Sequence, residues 1–274
     1  MAPFLTHLVV GERVWATLDG KRPAPDHFGT FLFGCLAPDV DKFCHGLEQG
    51  TTHFMAKDEA GTYVWLRSQR FLEGQAGFLR APFHTLEAIE QAFVIGYLCH
   101  IATDEITARS AQAIRNQNSG SSAPLPHVDA ILTAMDPRFW TMTDDPTGLI
   151  DALNRASIPD QAFVFTEQDC LQAMYQAVVP QVVEGGGLLP CVNMVRRQWQ
   201  WMRHGQVSDA TDDPQLEMDL AAFRRQIETD LPTSERLVEK LDLEFFVQEA
   251  HGHSLQRIHT CLLYTSPSPR DNDW

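Results

Sequence analysis

His100 and Asp104 stand four residues apart in GYLCHIATDE, inside an apolar run that reads as helix. Successive helical residues turn by about 100°, so positions i and i+4 share a face and both side chains can reach a single ion. The competing reading is a hydrogen-bonded core pair. Three upstream residues bear on the choice: His7 in LTHLVVGERV, Asp39 in FGCLAPDVDKF and His53 in TTHF, each at the edge of an apolar segment. Zinc takes imidazole nitrogen and carboxylate oxygen at about 2.0–2.2 Å, usually in fours. Asp39, His53, His100 and Asp104 would complete one such set. The second oxygen of Asp104 could bridge to another ion held by His7, giving two metals about 3.5–4 Å apart, an arrangement suited to phosphoester hydrolysis.

The order T-H-L-x-x-x-x-R, A-P-D, T-H-F and G-Y-x-x-H-x-x-x-D over about the first 110 residues resembles the bacterial zinc-dependent phospholipase C family. That family is similar to glycosylphosphatidylinositol-specific phospholipase D and, more distantly, to zinc nucleases that cut single strands. The resemblance implies an all-α, multi-helix single domain in which Asp39, His53, His100 and Asp104 hold one zinc while His7 and Asp104 help hold a second. It also implies a phosphodiester hydrolase in which a metal-activated water attacks phosphorus and Asp39, or another carboxylate, receives the proton. The substrate implied is a phospholipid or a smaller phosphoester. A nuclease or phosphomonoesterase on the same scaffold, and a non-catalytic helical module with structural zinc, are the alternatives.

The chain also departs from the family pattern. Secreted members use the amino group of a mature N-terminal Trp as a ligand, whereas this sequence starts MAPFLTH with no apolar leader. Members with a third zinc place a His five or six residues after the helical Asp, then an H-x-x-x-E pair. Here Arg109 and Ser110 stand instead and no such pair follows. A planar guanidinium matches phosphate oxygens, so Arg109 is a candidate phosphate contact, with a solvated or salt-bridged side chain as the plainer reading.

The elements that must position these groups read as helices, because apolar residues recur at spacings of three and four and two-residue alternation is absent. Thr6 is placed to cap a first helix running to about Leu18. Gly34 and Pro38 interrupt the next segment, putting Asp39 at a helix end, and His53 follows Thr51 and Thr52 near a helix start. The strongest helix spans Leu86 to about Arg109. Gly96 within it is unfavourable for a helix, a cost understood if another helix or the metal site approaches closely. NQNSGSSAPLP, Asn116–Pro126, reads as a loop, linker or flap. Further helices are expected from Thr166 to Glu184, ended by Gly185–Gly187, and over Pro190–His204, Leu216–Thr229 and Thr233–Gln256. The aromatic and basic RRQWQWMRHG reads as core packing, with a lipid-headgroup surface as its rival.

Cys261–Asp271, CLLYTSPSPRD, resembles a translated sequencing adapter, so a helical domain over 1–260 followed by a non-native 261–274 is expected. The remaining cysteines, among them Cys35, Cys99, Cys170 and Cys191 in apolar stretches, are expected to be reduced, buried thiols. Cys44 and Cys99 adjoin histidines, but neighbouring helical side chains diverge too far to share an ion. With no leader, the cytoplasm is the expected location. Apolar runs such as AFVIGYLC fall well short of the roughly 20 residues of a membrane span. A formal net charge of −15 argues against nucleic acid as the main substrate, because phosphate backbones bind through clusters of Lys and Arg.

Overall fold

The computed structural model describes residues 4–18, 25–57, 63–64, 67–118, 126–159, 162–183, 185, 187–204 and 213–264. They form an all-α architecture whose one sheet is a two-residue antiparallel pair, β1 (Ala56–Lys57) with β2 (Tyr63–Val64). Eleven α-helices are present among them: α1 (Phe4–Thr17), α2 (Phe28–Gly34), α3 (Gln49–Thr52), α4 (Arg67–Phe78), α5 (Ala88–Asn118), α6 (Val128–Trp140), α7 (Pro146–Asn154), α8 (Gln168–Val183), α9 (Leu188–His204), α10 (Pro214–Val238) and α11 (Leu243–Tyr264).

Helix α5 is the axis of the fold. Its Phe93, Val94, Ile95, Tyr97, Leu98 and Ile101 are all buried, and α1, α2, α4 and α11 pack around it. The closest approach is the crossing with α2. A Cβ on Gly96 would lie 2.1 Å from the Phe31 carbonyl oxygen, and one on Gly34 would lie 2.3 Å from that of Phe93. Two missing side chains thus let the backbones touch, which is the reason for a glycine inside an otherwise strong helix.

Helix α1 is buried on nearly all faces, and Thr6 does not cap it. Asp136 of α6 does so from across the core, its Oδ1 accepting the backbone N–H groups of Leu5 at 2.9 Å and Thr6 at 3.2 Å. A carboxyl group borrowed from another helix satisfies these end donors as a local N-cap would, and at the same time ties α1 to α6.

Other boundaries shift from expectation. Asp39 lies in the first turn of a 3-10 segment, Ala37–Phe43, and makes no cap hydrogen bond; His53 follows the end of α3 rather than its start. Helix α10 continues through Pro232 to Val238, so the break expected near residues 230–232 falls instead just before Leu243. Buried Ile227 on one side of the proline and Ser234 and Val238 on the other hold the helix against α6 and α9, offsetting the hydrogen bond a proline removes. Asn116, Gln117 and Asn118 close α5, and residues 119–125 of the expected loop lie outside the described residues. Helix α11 runs past Thr260 to Tyr264 with Cys261 buried, while 265–274 lie outside the described residues.

The cysteine expectation needs correction. Cys44 and Cys170, 126 residues apart, form a disulfide that ties the end of the 3-10 segment to α8. Cys35, Cys99 and Cys261 are buried free thiols and Cys191 is a half-buried one. The expectation of a cytoplasmic location rested on the missing leader, and a disulfide, which persists in oxidising compartments, does not support it. No helix among the described residues is long and apolar enough to cross a membrane.

Candidate metal centre

Four separate elements deliver the five side chains. His7 comes from α1, Asp39 from the 3-10 segment, His53 from the residue after α3, and His100 and Asp104 from α5. All five converge and all are buried; the most exposed is Asp104 at 4%. Nε2 of His53 lies 3.6 Å from Oδ1 of Asp39 and 3.6 Å from Oδ2 of Asp104. Nε2 of His7 lies 3.7 Å from Oδ1 of Asp104, and Nε2 of His100 lies 3.9 Å from its Oδ2. These separations are too long for hydrogen bonds. They approach the distance between two ligand atoms on one tetrahedral ion, about 3.4 Å for bonds near 2.1 Å.

Local structure aims the rings. Nδ1 of His100 is 2.7 Å from the Cys35 carbonyl oxygen, an acceptor only, so Nδ1 carries the proton and Nε2 presents its lone pair to the centre. The Gly34–Gly96 contact brings that carbonyl within reach. Nδ1 of His53 sits 2.9 Å from Thr52 Oγ1, whose own hydroxyl can donate to the Gln49 carbonyl at 3.3 Å, again freeing Nε2. Phe54, the next residue, adopts a left-handed φ of 50°. Such a conformation is costly for a bulky residue. Burial among Phe71, Phe78, Tyr97 and Phe163 holds it there, and the Tyr97 hydroxyl donates to the Thr52 carbonyl at 2.6 Å. The His7 and His100 rings stack at 3.7 Å.

The electrostatics suit a cation. Burial pushes His53 and His100 down to about 4 and His7 well below its usual value, so all three imidazoles are neutral near pH 7 with lone pairs to give. Burial, the largest single influence, would raise the Asp39 carboxyl, but the adjacent Lys42 ammonium together with His100 and His53 outweighs it and holds the group at about 2. Such a carboxylate is ionised near pH 7 and has oxygens to offer a cation. The Nε2 atoms of His7, His53 and His100 and Oδ2 of Asp39 have no hydrogen-bond partner among the described residues. Leaving several buried polar atoms unsatisfied is expensive, and bound divalent ions would satisfy them. Three imidazole nitrogens and two carboxylates are a donor set that fits zinc. Two groupings have mutually close donors: His7 with His100 and Asp104, and Asp39 with His53 and His100. His100 appears in both, and one imidazole nitrogen serves one ion.

Two buried cations at the centre were not anticipated. The Lys42 ammonium pairs with Oδ1 of Asp39, and Nη1 of Arg67 donates to Oδ2 of Asp104 at 3.0 Å. Arg67 is fixed by its neighbour: Ser68 donates through N–H and hydroxyl to the two oxygens of Glu105, at 2.7 and 3.0 Å, and His253 of α11 reaches Glu105 at 2.6 Å. Arg67–Ser68 therefore pair residue for residue with Asp104–Glu105. Arg109, the candidate phosphate contact, is exposed. Arg196 and Arg203 of α9 are engaged by α10 and the residue before it, Arg196 by Glu217 and Arg203 by Asp213 and Asp219, which favours packing over a headgroup surface.

No curated protein and no solved structure matches the chain. Residues 6–112 match the family model described as zinc dependent phospholipase C. This stretch contains all five converging side chains together with Lys42 and Arg67, and over it the chain is similar to the zinc dependent phospholipase C family.

Proposed function

We propose that the chain is a zinc-dependent hydrolase of phosphodiesters, phospholipase C-like, acting on a phospholipid or a small phosphoester. The observation that carries this reading is the set of buried, unpartnered imidazole nitrogens facing two carboxylates at ligand-to-ligand distances. Asp39, His53, His100 and Asp104 would hold one ion, and His7 with Asp104 would contribute to a second. Zinc bound there would supply a Lewis acid and an activated water for attack at phosphorus. The chain's own part is to fix the ligand rings through the Cys35 carbonyl and Thr52 hydroxyl, to keep the imidazoles neutral by burial, and to exclude bulk water. Asp39, or another carboxylate, would receive the proton of that water.

One observation favours a second reading, a helical module with structural zinc: the five side chains are 0–4% exposed, and structural sites are closed where catalytic ones keep an open position. Metal-free full-length protein loaded with zinc separates the readings. The hydrolase is expected to take up one or two zinc ions and to cleave a chromogenic phosphocholine ester in preference to a phosphomonoester or single-stranded DNA. Tight zinc uptake with no hydrolysis of any of the three would favour the structural module. No zinc uptake would overturn both.

A further inference from the structure

We propose that His253 of α11 is a positioning residue for the metal centre: by satisfying Glu105 it keeps the Arg67 guanidinium on Asp104, and so fixes the orientation of that ligand; this rests on the metal reading above. A second carboxylate follows the ligand directly, Glu105 after Asp104, and a hydroxyl residue follows the arginine, Ser68 after Arg67. Asp104 and Glu105 leave α5 about 100° apart. The start of α4 spans both, since Arg67 meets the first and Ser68 the second. Both carboxylates are buried, and a buried carboxylate draws donors or cations to itself. Two of them at the same helix start compete for one guanidinium.

Three donors on Glu105 resolve that competition. Ser68 gives its backbone N–H to Oε1 at 2.7 Å and its hydroxyl to Oε2 at 3.0 Å, and Nε2 of His253 lies 2.6 Å from the same Oε2. An ionised carboxylate only accepts, so His253 carries a proton on Nε2. The Ser68 contacts also seat the first turn of α4 on an acidic group, which suits a helix start. Arg67, the first residue of that helix, donates through Nη1 to Oδ2 of Asp104 at 3.0 Å. Without the imidazole, Oε2 of Glu105 would keep the Ser68 hydroxyl alone, and the guanidinium one residue before Ser68 would be drawn toward it.

Asp104 is the carboxylate that both ions would share. Its Oδ1 faces His7 and its Oδ2 faces His53 and His100, so a rotation of this group disturbs both halves of the centre. His253 lies far beyond residue 112, where the family match ends. The C-terminal helix, packed on α5 and α4, thus has a part in a site whose candidate ligands all lie within the matched stretch.

The test is titration of the metal-free full chain with zinc and with cobalt(II). Competition with a chromogenic chelator gives the zinc affinity, and the visible cobalt bands report ligand geometry. His253→Leu should lower zinc affinity about tenfold or more and change the cobalt bands. His253→Gln, whose amide still donates, should stay within about threefold of wild type and keep the wild-type bands. Glu105→Gln added to His253→Leu removes the charge that competes for Arg67, and should restore both readouts. Ile258→Ala, an apolar residue fully buried on the same helix, should lose stability in urea unfolding and leave both readouts in place. Wild-type affinity and bands in His253→Leu would overturn the inference, as would no recovery in the double variant. An equal loss of affinity in Ile258→Ala would also overturn it, by making the effect one of helix packing. If His253→Leu does not fold, Ser68→Ala strips a donor from the same Oε2 and carries the same expectation. A wild-type protein that takes up neither metal removes the metal reading and this inference together, an outcome told apart from the others by the wild-type titration alone.

Discussion

The Cys35 carbonyl oxygen accepts a hydrogen bond from Nδ1 of His100 across 2.7 Å, and this contact couples the core of the fold to its chemistry. It exists because α2 and α5 cross at Gly34 and Gly96, one residue before Cys35 and four before His100. Gly96→Ala would drive a methyl group into the Phe31 carbonyl, 2.1 Å away. Overpacking against backbone cannot be relieved by a rotamer change, so the expected cost is about 2–3 kcal/mol or more. Because the helices must part, zinc affinity should fall as well. Urea unfolding with and without zinc checks this, and an Ala variant as stable as wild type would show that the crossing is loose.

Thr52→Val removes the hydroxyl that orients His53 and leaves the side-chain shape intact. Partners behind a metal-bound histidine fix its tautomer, and losing one typically lowers metal affinity by about 10–100-fold. Zinc binding measured by competition with a chromogenic chelator should show a loss in that range, with circular dichroism unchanged. An unaltered affinity would mean that His53 is held by its surroundings without this bond.

The part of this arrangement that was legible in the sequence follows from its physics. The three-and-four spacing of apolar residues announces helices wherever it occurs, and the five metal-directed residues stand out because His and Asp at the edges of apolar runs are unusual. Gly96 was legible for the same reason, being costly without a close neighbour. Lys42 and Arg67 were not: a buried cation and a solvated one look alike in one dimension, and only the position of Asp104, 37 residues beyond Arg67, distinguishes them. The DK in APDVDKF offered a weak hint, since Lys42 follows Asp39 by three residues. The Cys44–Cys170 bridge joins residues 126 apart, and no local pattern encodes a long-range pairing. The continuous α10 was not legible either, because a proline such as Pro232 locally disfavours helix while packing on both sides of it decides the outcome.

The bridge itself makes a prediction. Closing a loop of this size restricts the unfolded chain, and removing a native disulfide commonly costs about 2–5 kcal/mol. Cys44→Ser with Cys170→Ser should lower the thermal midpoint by several degrees, and a reducing agent should do the same to wild type while leaving the double variant unmoved. Mass spectrometry of the wild type that finds both thiols free in oxidised buffer would remove the premise.

Asp136 gives the fold a pH dependence whose sign is opposite to that of an ordinary surface carboxylate. Burial pushes its carboxyl up to about 8 from the usual 3.8, against the opposing pull of the Thr6 and Leu5 N–H groups. Between those values the folded chain holds a proton that the unfolded chain has released, so the contribution to stability is fully present below about pH 4 and is lost as pH rises through 8. The slope is at most about 1.4 kcal/mol per pH unit. Asp136→Asn keeps a carbonyl oxygen to accept from Leu5 and Thr6 and carries no charge. Its stability relative to wild type should therefore climb steadily from pH 4 to pH 8 in urea unfolding of the metal-free protein. Two parallel curves would mean that the carboxylate is already ionised in the fold, stabilised by the N-terminus of α1 that it caps. In that case Asp136→Asn should instead lose stability at neutral pH, because a neutral amide serves a helix N-terminus less well than a carboxylate does.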